Sequence, residues 1–214
     1  MQEEVGSARE ELCEDYAYLA GLPEISPEEE HAALGVRRRL PWLLLLFGLG
    51  FLVSGAVGLF ERVVESLSVI VSFQSLILGM AGNAGTQSLA VTVRTLASAE
   101  RKGKRAWRLV LRESLVGACN GFLLGVLSFL FVGGYLYLLR GESAALAFSV
   151  SLCVGVALFI SMWLSGVTGA AIPLLLCRVG VDPAVASGPF ITTLGDLVSV
   201  FAYYGLAWLL LLGG

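Results

Sequence analysis

The sequence predicts an all-α membrane protein with five transmembrane helices in each chain. Three observations predict it. Hydrophobic residues make up 57% of the 214, charged residues only 14%. The apolar residues gather in five blocks, each near or above the ~20 residues that a bilayer requires. The basic residues fall mainly in alternate gaps between those blocks. No stretch is left for a large soluble domain, so any transport or catalysis must be built from the spans.

Residues 1–40 read as an acidic cytosolic tail followed by a juxtamembrane helix. Ten of the 17 acidic residues lie within residues 1–30, and Leu12, Tyr16 and Leu19 share one helical face. Ser26-Pro27-Glu28-Glu29 is a capping box with proline at the first helical position, and it starts a helix running to about Leu40. That helix is acidic at its start and basic at Arg37, Arg38 and Arg39, which suits the macrodipole. It orients the first span; a second reading makes Glu28, Glu29, Glu30 and His31 a divalent-ion sensor.

Residues 41–213 form the five-helix domain. The first span covers 41–60, with Pro41 and Trp42 at its entrance as an aromatic anchor. The second covers 67–93, the third 109–139, the fourth 144–177 and the fifth 184–213. The third and fourth exceed the minimum, so tilt or a kink is expected, with Pro173 as the kink in the fourth. Gly133-Gly134 loosens the end of the third.

Eleven basic residues (Arg37–Arg39, seven in the 94–112 loop, and Arg178) face one side, against Arg62 and Arg140 on the other. The positive-inside rule then places the N-terminus in the cytoplasm and the C-terminus outside, in a cell inner membrane. Topology explains the basic 94–112 loop, with anionic lipid as a secondary contact; nucleic acid is not needed. Cys13, Cys119, Cys153 and Cys177 are isolated and read as packing residues or a free thiol. The N-terminus is acidic and lacks the early apolar region of a secretory signal.

Asp196 is the only charged residue in the fifth block. A carboxylate there is costly, and such residues usually face a bundle interior or water and mark an ion path. Thr192 lies four residues before it and Ser199 three after, on one helix face; Gly188-Pro189 frees a backbone carbonyl near the start of the span. In the second span Gly79, Gly82 and Gly85 form a bare face, while Asn83, Thr86, Gln87 and Ser88 crowd the same turns. Glycine spacing alone signals helix packing; the amides and hydroxyls add a demand for partners or water. Oxygen donors without thiolate or imidazole favour Mg²⁺, which keeps several waters and needs only one or two carboxylates. Two chains around a two-fold axis would supply a pair of aspartates. The expected metal-contacting set is Asp196, Thr192, Asn83, Thr86, Ser199 and Gly188.

Two motifs carry a resemblance. Gly82-Asn83-Ala-Gly85-Thr-Gln87-Ser88, followed by Val93-Arg94-Thr-Leu96-Ala97, resembles the signature of MgtE-type magnesium transporters and channels. Asp182-Pro183-Ala184-Val-Ala-Ser187-Gly-Pro189, running to Thr193-Leu194-Gly-Asp196, is similar to a second motif of that family. The resemblance covers about 38–213. It implies a homodimer with the pore between subunits, lined by the second and fifth spans, and Mg²⁺ as the transported ion rather than a cofactor. Asp196 falls on the family's pore aspartate, and Thr192 and the Asn83–Ala90 turns line the same path. Members commonly carry a cytosolic helical domain and paired CBS domains; here about 40 residues precede the spans, and the 26–40 helix corresponds to a plug helix. Thr86 and Gly188 stand where some members have an amide, which points to altered ion preference.

The leading reading is therefore a divalent cation channel or transporter, not an enzyme. The alternatives are a non-transporting assembly protein, a carrier of another divalent metal, and a proton-coupled carrier, the last weakened by the expectation that the spans hold no second acid or histidine.

Overall fold

The computed structural model describes residues 32–97, 106–180 and 188–213. The capping box, Glu28–His31, residues 98–105 of the basic loop and the Asp182–Ser187 part of the second motif lie outside them. All described secondary structure is helical: α1 (Ala32–Gly58), α2 (Glu61–Ser66), α3 (Ser68–Ala97), α4 (Ala106–Gly134), α5 (Ala144–Arg178) and α6 (Gly188–Leu211). Five of these are long and apolar enough to cross a membrane: α1, α3, α4, α5 and α6. They match the five predicted blocks in order.

Local chemistry explains the element ends. α1 runs straight through Pro41 rather than breaking there, so the juxtamembrane segment and the first span are one helix. Proline removes one backbone donor, a loss that neighbouring groups and water can offset near a membrane surface. α4 passes into a π-turn over Tyr135–Leu139 directly after Gly133-Gly134, closed by the Arg140 N–H donating to the Tyr135 carbonyl at 3.1 Å. α5 begins where the Ser143 hydroxyl accepts from the Leu146 N–H at 3.3 Å, and it continues unbroken through Pro173.

α5 is the centre of the bundle: 56% of its most apolar window is buried, against 6% for α1. It packs on α3, α4 and α6 through glycines. A Cβ at Gly125 would lie 2.6 Å from the Gly155 carbonyl oxygen, and one at Gly155 would lie 2.7 Å from that of Gly125. These backbones touch because neither carries a side chain, the way small residues drive packing in lipid. Further along α5, Gly169 meets the Gly85 carbonyl of α3 in the same manner.

α6 lies antiparallel to α3. Gly82 faces Thr192 at one level, and Ile70 accepts a hydrogen bond from Tyr203 at the other. Tyr203 and Tyr204 are fully buried. Tyr204 stacks on Phe60, at the turn into α2, with centroids 5.8 Å apart and planes at 22°. This aromatic clamp fixes the register of the two helices that carry the candidate site.

Candidate ion site

A cavity of about 520 Å³ lies against α3 and α6. Val71, Gln74, Ser75, Leu78, Gly79, Gly82 and Asn83 of α3 form one wall; Thr192 and Asp196 of α6 form the other. The α3 residues recur at three- and four-residue steps, so they occupy one helix face. Among the described residues no other element contributes, and Ser75 and Asn83 are exposed. A hollow that bears amide, hydroxyl and carboxylate groups between two helices of a membrane protein must be closed by more protein or filled with water.

Glycine lets the walls approach. A Cβ at Gly82 would fall 3.2 Å from the Thr192 methyl carbon. Gly195 presses against Ser165 of α5, where a Cβ would lie 3.1 Å from the serine oxygen. Asp196, the next residue, is therefore held at a fixed height opposite Gly79 and Gly82.

The hydroxyls around Asp196 turn away from it. Thr192 and Thr193 both donate to the Pro189 carbonyl, at 2.9 and 2.8 Å, and Ser199 donates to the Gly195 carbonyl at 2.7 Å. Among the described residues, the Asp196 carboxylate has no hydrogen bond or ion pair. Its acceptor capacity, and the remaining lone pairs of Thr192, are left for the cavity. No cluster of three or more acidic, histidine or cysteine ligands occurs among the described residues. One carboxylate with neutral oxygens suits a cation that keeps its water shell, as Mg²⁺ does.

Of the six residues singled out from the sequence, the structure brings Asp196, Thr192 and Asn83 together in the cavity wall. Thr86 lies outside the lining and donates to the Gly82 and Asn83 carbonyls of its own helix. Ser199 is buried behind the wall, and Gly188 marks the first residue of α6. Sequence reasoning missed Gln74 and Ser75, whose signal was their place two helical turns before Gly82 on the same face.

It also missed an acid. Glu113 is 5% exposed within the third span, and its carboxylate accepts from the buried Ser88 hydroxyl at 3.1 Å. This corrects the expectation that the spans hold no second acid. Next to Arg112, Glu113 reads in sequence as part of the charged loop. It is not in the cavity lining, so it adds no second carboxylate to the Asp196 site within one chain.

Comparison with known proteins bears on the same helices. The MgtE family, described as divalent cation transporter, matches residues 74–206, which contain every residue of the cavity lining but Val71. The chain belongs to the MgtE family. It is 38% identical over 198 residues to the magnesium transporter MgtE of Enterococcus faecalis, covering 92% of this chain and 42% of that one. It is 34% identical over 201 residues to the MgtE of Bacillus subtilis, covering 92% and 42%. With the MgtE of Thermus thermophilus it shares 37% over 174 residues, covering 81% and 36%. The chain thus spans about two fifths of the length of these MgtE relatives. Family membership and five apolar helices together make it an integral membrane protein.

Proposed function

We propose that two copies of this chain form a pathway for a hydrated divalent cation, most simply Mg²⁺, with Asp196 of each copy facing the other across the pore. The observation that carries this reading is the cavity itself: a membrane-depth carboxylate without an intrahelical partner, beside Asn83 and Thr192, in a hollow that one chain leaves open. A second copy placed about a two-fold axis would close the hollow and double the carboxylates. Curated relatives named magnesium transporters support the choice of ion.

The orientation proposed has the N-terminus in the cytoplasm. Arg37, Arg39, Arg94, Arg108, Arg112 and Arg178 all lie toward helix ends that alternate to the same side, where those of the 94–112 loop would meet anionic lipid head groups. Residues 1–40 are then a cytosolic tail whose last part continues into the first span. Influx needs no other energy source, since a +2 charge moving inward through 100 mV gains about 4.6 kcal/mol.

The assembly-protein alternative requires Asp196 to hold helices together. The neighbouring hydroxyls bond to carbonyls of their own helix instead, which argues against it. The test is Mg²⁺ uptake by proteoliposomes holding the full chain: uptake that saturates with external Mg²⁺ supports the reading, and none above empty liposomes refutes it.

A further inference from the structure

The polar groups of the cavity fall into two clusters. Asn83, Thr192 and Asp196 make one. Gln74 and Ser75 make the other, with Gln74 nine residues before Asn83, about 13 Å along the helix axis. Along α3, Leu78 and Gly79 lie between Gln74 and Asn83. On α6, Tyr204 is eight residues beyond Asp196, about 12 Å further toward the Gln74 end.

Gln74 is held in place. The Tyr204 hydroxyl donates to its Oε1 at 2.7 Å. Tyr204 is itself fixed by the Phe60 stack and by Tyr203, whose ring lies 5.3 Å away and whose hydroxyl donates to the Ile70 carbonyl one turn before Gln74. A buried tyrosine, packed against two further rings, therefore sets the position of one amide. An amide oxygen has two lone pairs, and Tyr204 takes one.

We propose that Gln74, with Ser75 beside it, is a second station for the waters of a hydrated cation, and that Tyr204 is its positioning residue. The inference rests on the cavity being a cation path. The waters of a bound cation point their hydrogens outward and need acceptors; Gln74 Oε1 and Ser75 Oγ supply them without charge. A water occupies about 30 Å³ in the liquid, so a 520 Å³ cavity holds an octahedral water shell with room to spare. A neutral station also lets the ion leave, as conduction requires: binding must be favourable enough to enter yet weak enough to pass on. The competing account makes Gln74 mere glue between α3 and α6.

The experiment measures initial Mg²⁺ uptake against external concentration in proteoliposomes of the full chain, alongside thermal unfolding of each variant. Gln74→Leu is expected to raise the half-saturating concentration about fivefold, the scale of one lost hydrogen bond. Tyr204→Phe, which keeps the ring, shifts it the same way by less, and Gln74→Glu restores or lowers it. A Gln74→Leu or Tyr204→Phe curve that coincides with the parent, while Asp196→Ala abolishes uptake, overturns the station and leaves the pore reading intact. So does a variant that loses thermal stability and maximal rate with the half-saturating concentration unmoved. A parent without uptake removes both readings. If Gln74→Leu does not fold, Tyr204→Phe decides.

Discussion

The Ser88 hydroxyl of α3 donates to the Glu113 carboxylate of α4 across 3.1 Å, with both residues buried. α3 and α4 barely touch elsewhere, and both lean on α5. The contact lies one turn beyond Gly85, so it ties the far end of the cavity-bearing helix to the rest of the bundle. Ser88→Ala removes the donor and leaves a buried carboxylate without its partner, a loss of about 1–3 kcal/mol. Glu113→Gln keeps an acceptor for Ser88 and removes the charge. Thermal unfolding in detergent should show Ser88→Ala destabilised and Glu113→Gln at least as stable as the parent.

The Gly85–Gly169 approach sets the distance between α3 and α5. A Cβ on Gly169 would run into the Gly85 carbonyl oxygen, which is backbone and cannot rotate aside. Gly169→Ala must push the helices apart, at about 1–3 kcal/mol, the usual cost of overpacking. The same displacement carries Asn83 with it, so both thermal stability and Mg²⁺ uptake fall. Gly134, where nothing lies within 4 Å of an added Cβ, is the control: Gly134→Ala leaves both within error of the parent.

Tyr203 and Tyr204 are adjacent, both fully buried, and bond to α3 one turn apart, yet only Tyr204 reaches a cavity residue. Tyr203→Phe loses one hydrogen bond to the Ile70 carbonyl and should cost about 1 kcal/mol of stability. Its half-saturating Mg²⁺ concentration should match the parent in the uptake assay, in contrast to Tyr204→Phe.

Much of the fold was legible because a bilayer imposes a length. Five apolar blocks became five long helices, with ends within a few residues of those predicted wherever the chain is described. Pro41 marked a span entrance in sequence, whereas in space it sits inside one continuous helix, since hydropathy records where membrane begins and not where a helix does. Asp196, Asn83 and Thr192 stood out as polar groups in apolar runs, and they share one cavity. Gln74 escaped notice because a place two turns before Gly82 signals helix packing as readily as a site, and only Tyr204, 130 residues away, shows what holds it. Glu113 escaped because its neighbour Arg112 belongs to the basic loop, while its contacts with Ser88 of α3 and Gly166 of α5 appear only in the fold. Thr86 and Ser199 share turns with the site but spend their hydroxyls on their own helices, a choice that only geometry reveals.

Asp196 is the centre of the proposed pathway, and Mg²⁺ uptake by proteoliposomes of the Asp196→Ala variant tests that role most directly. Removal of the carboxylate from a correctly folded chain should lower uptake by at least about tenfold, the scale of a lost charge-assisted contact. Uptake equal to that of the parent, at matched reconstitution and unchanged thermal stability, would contradict the account.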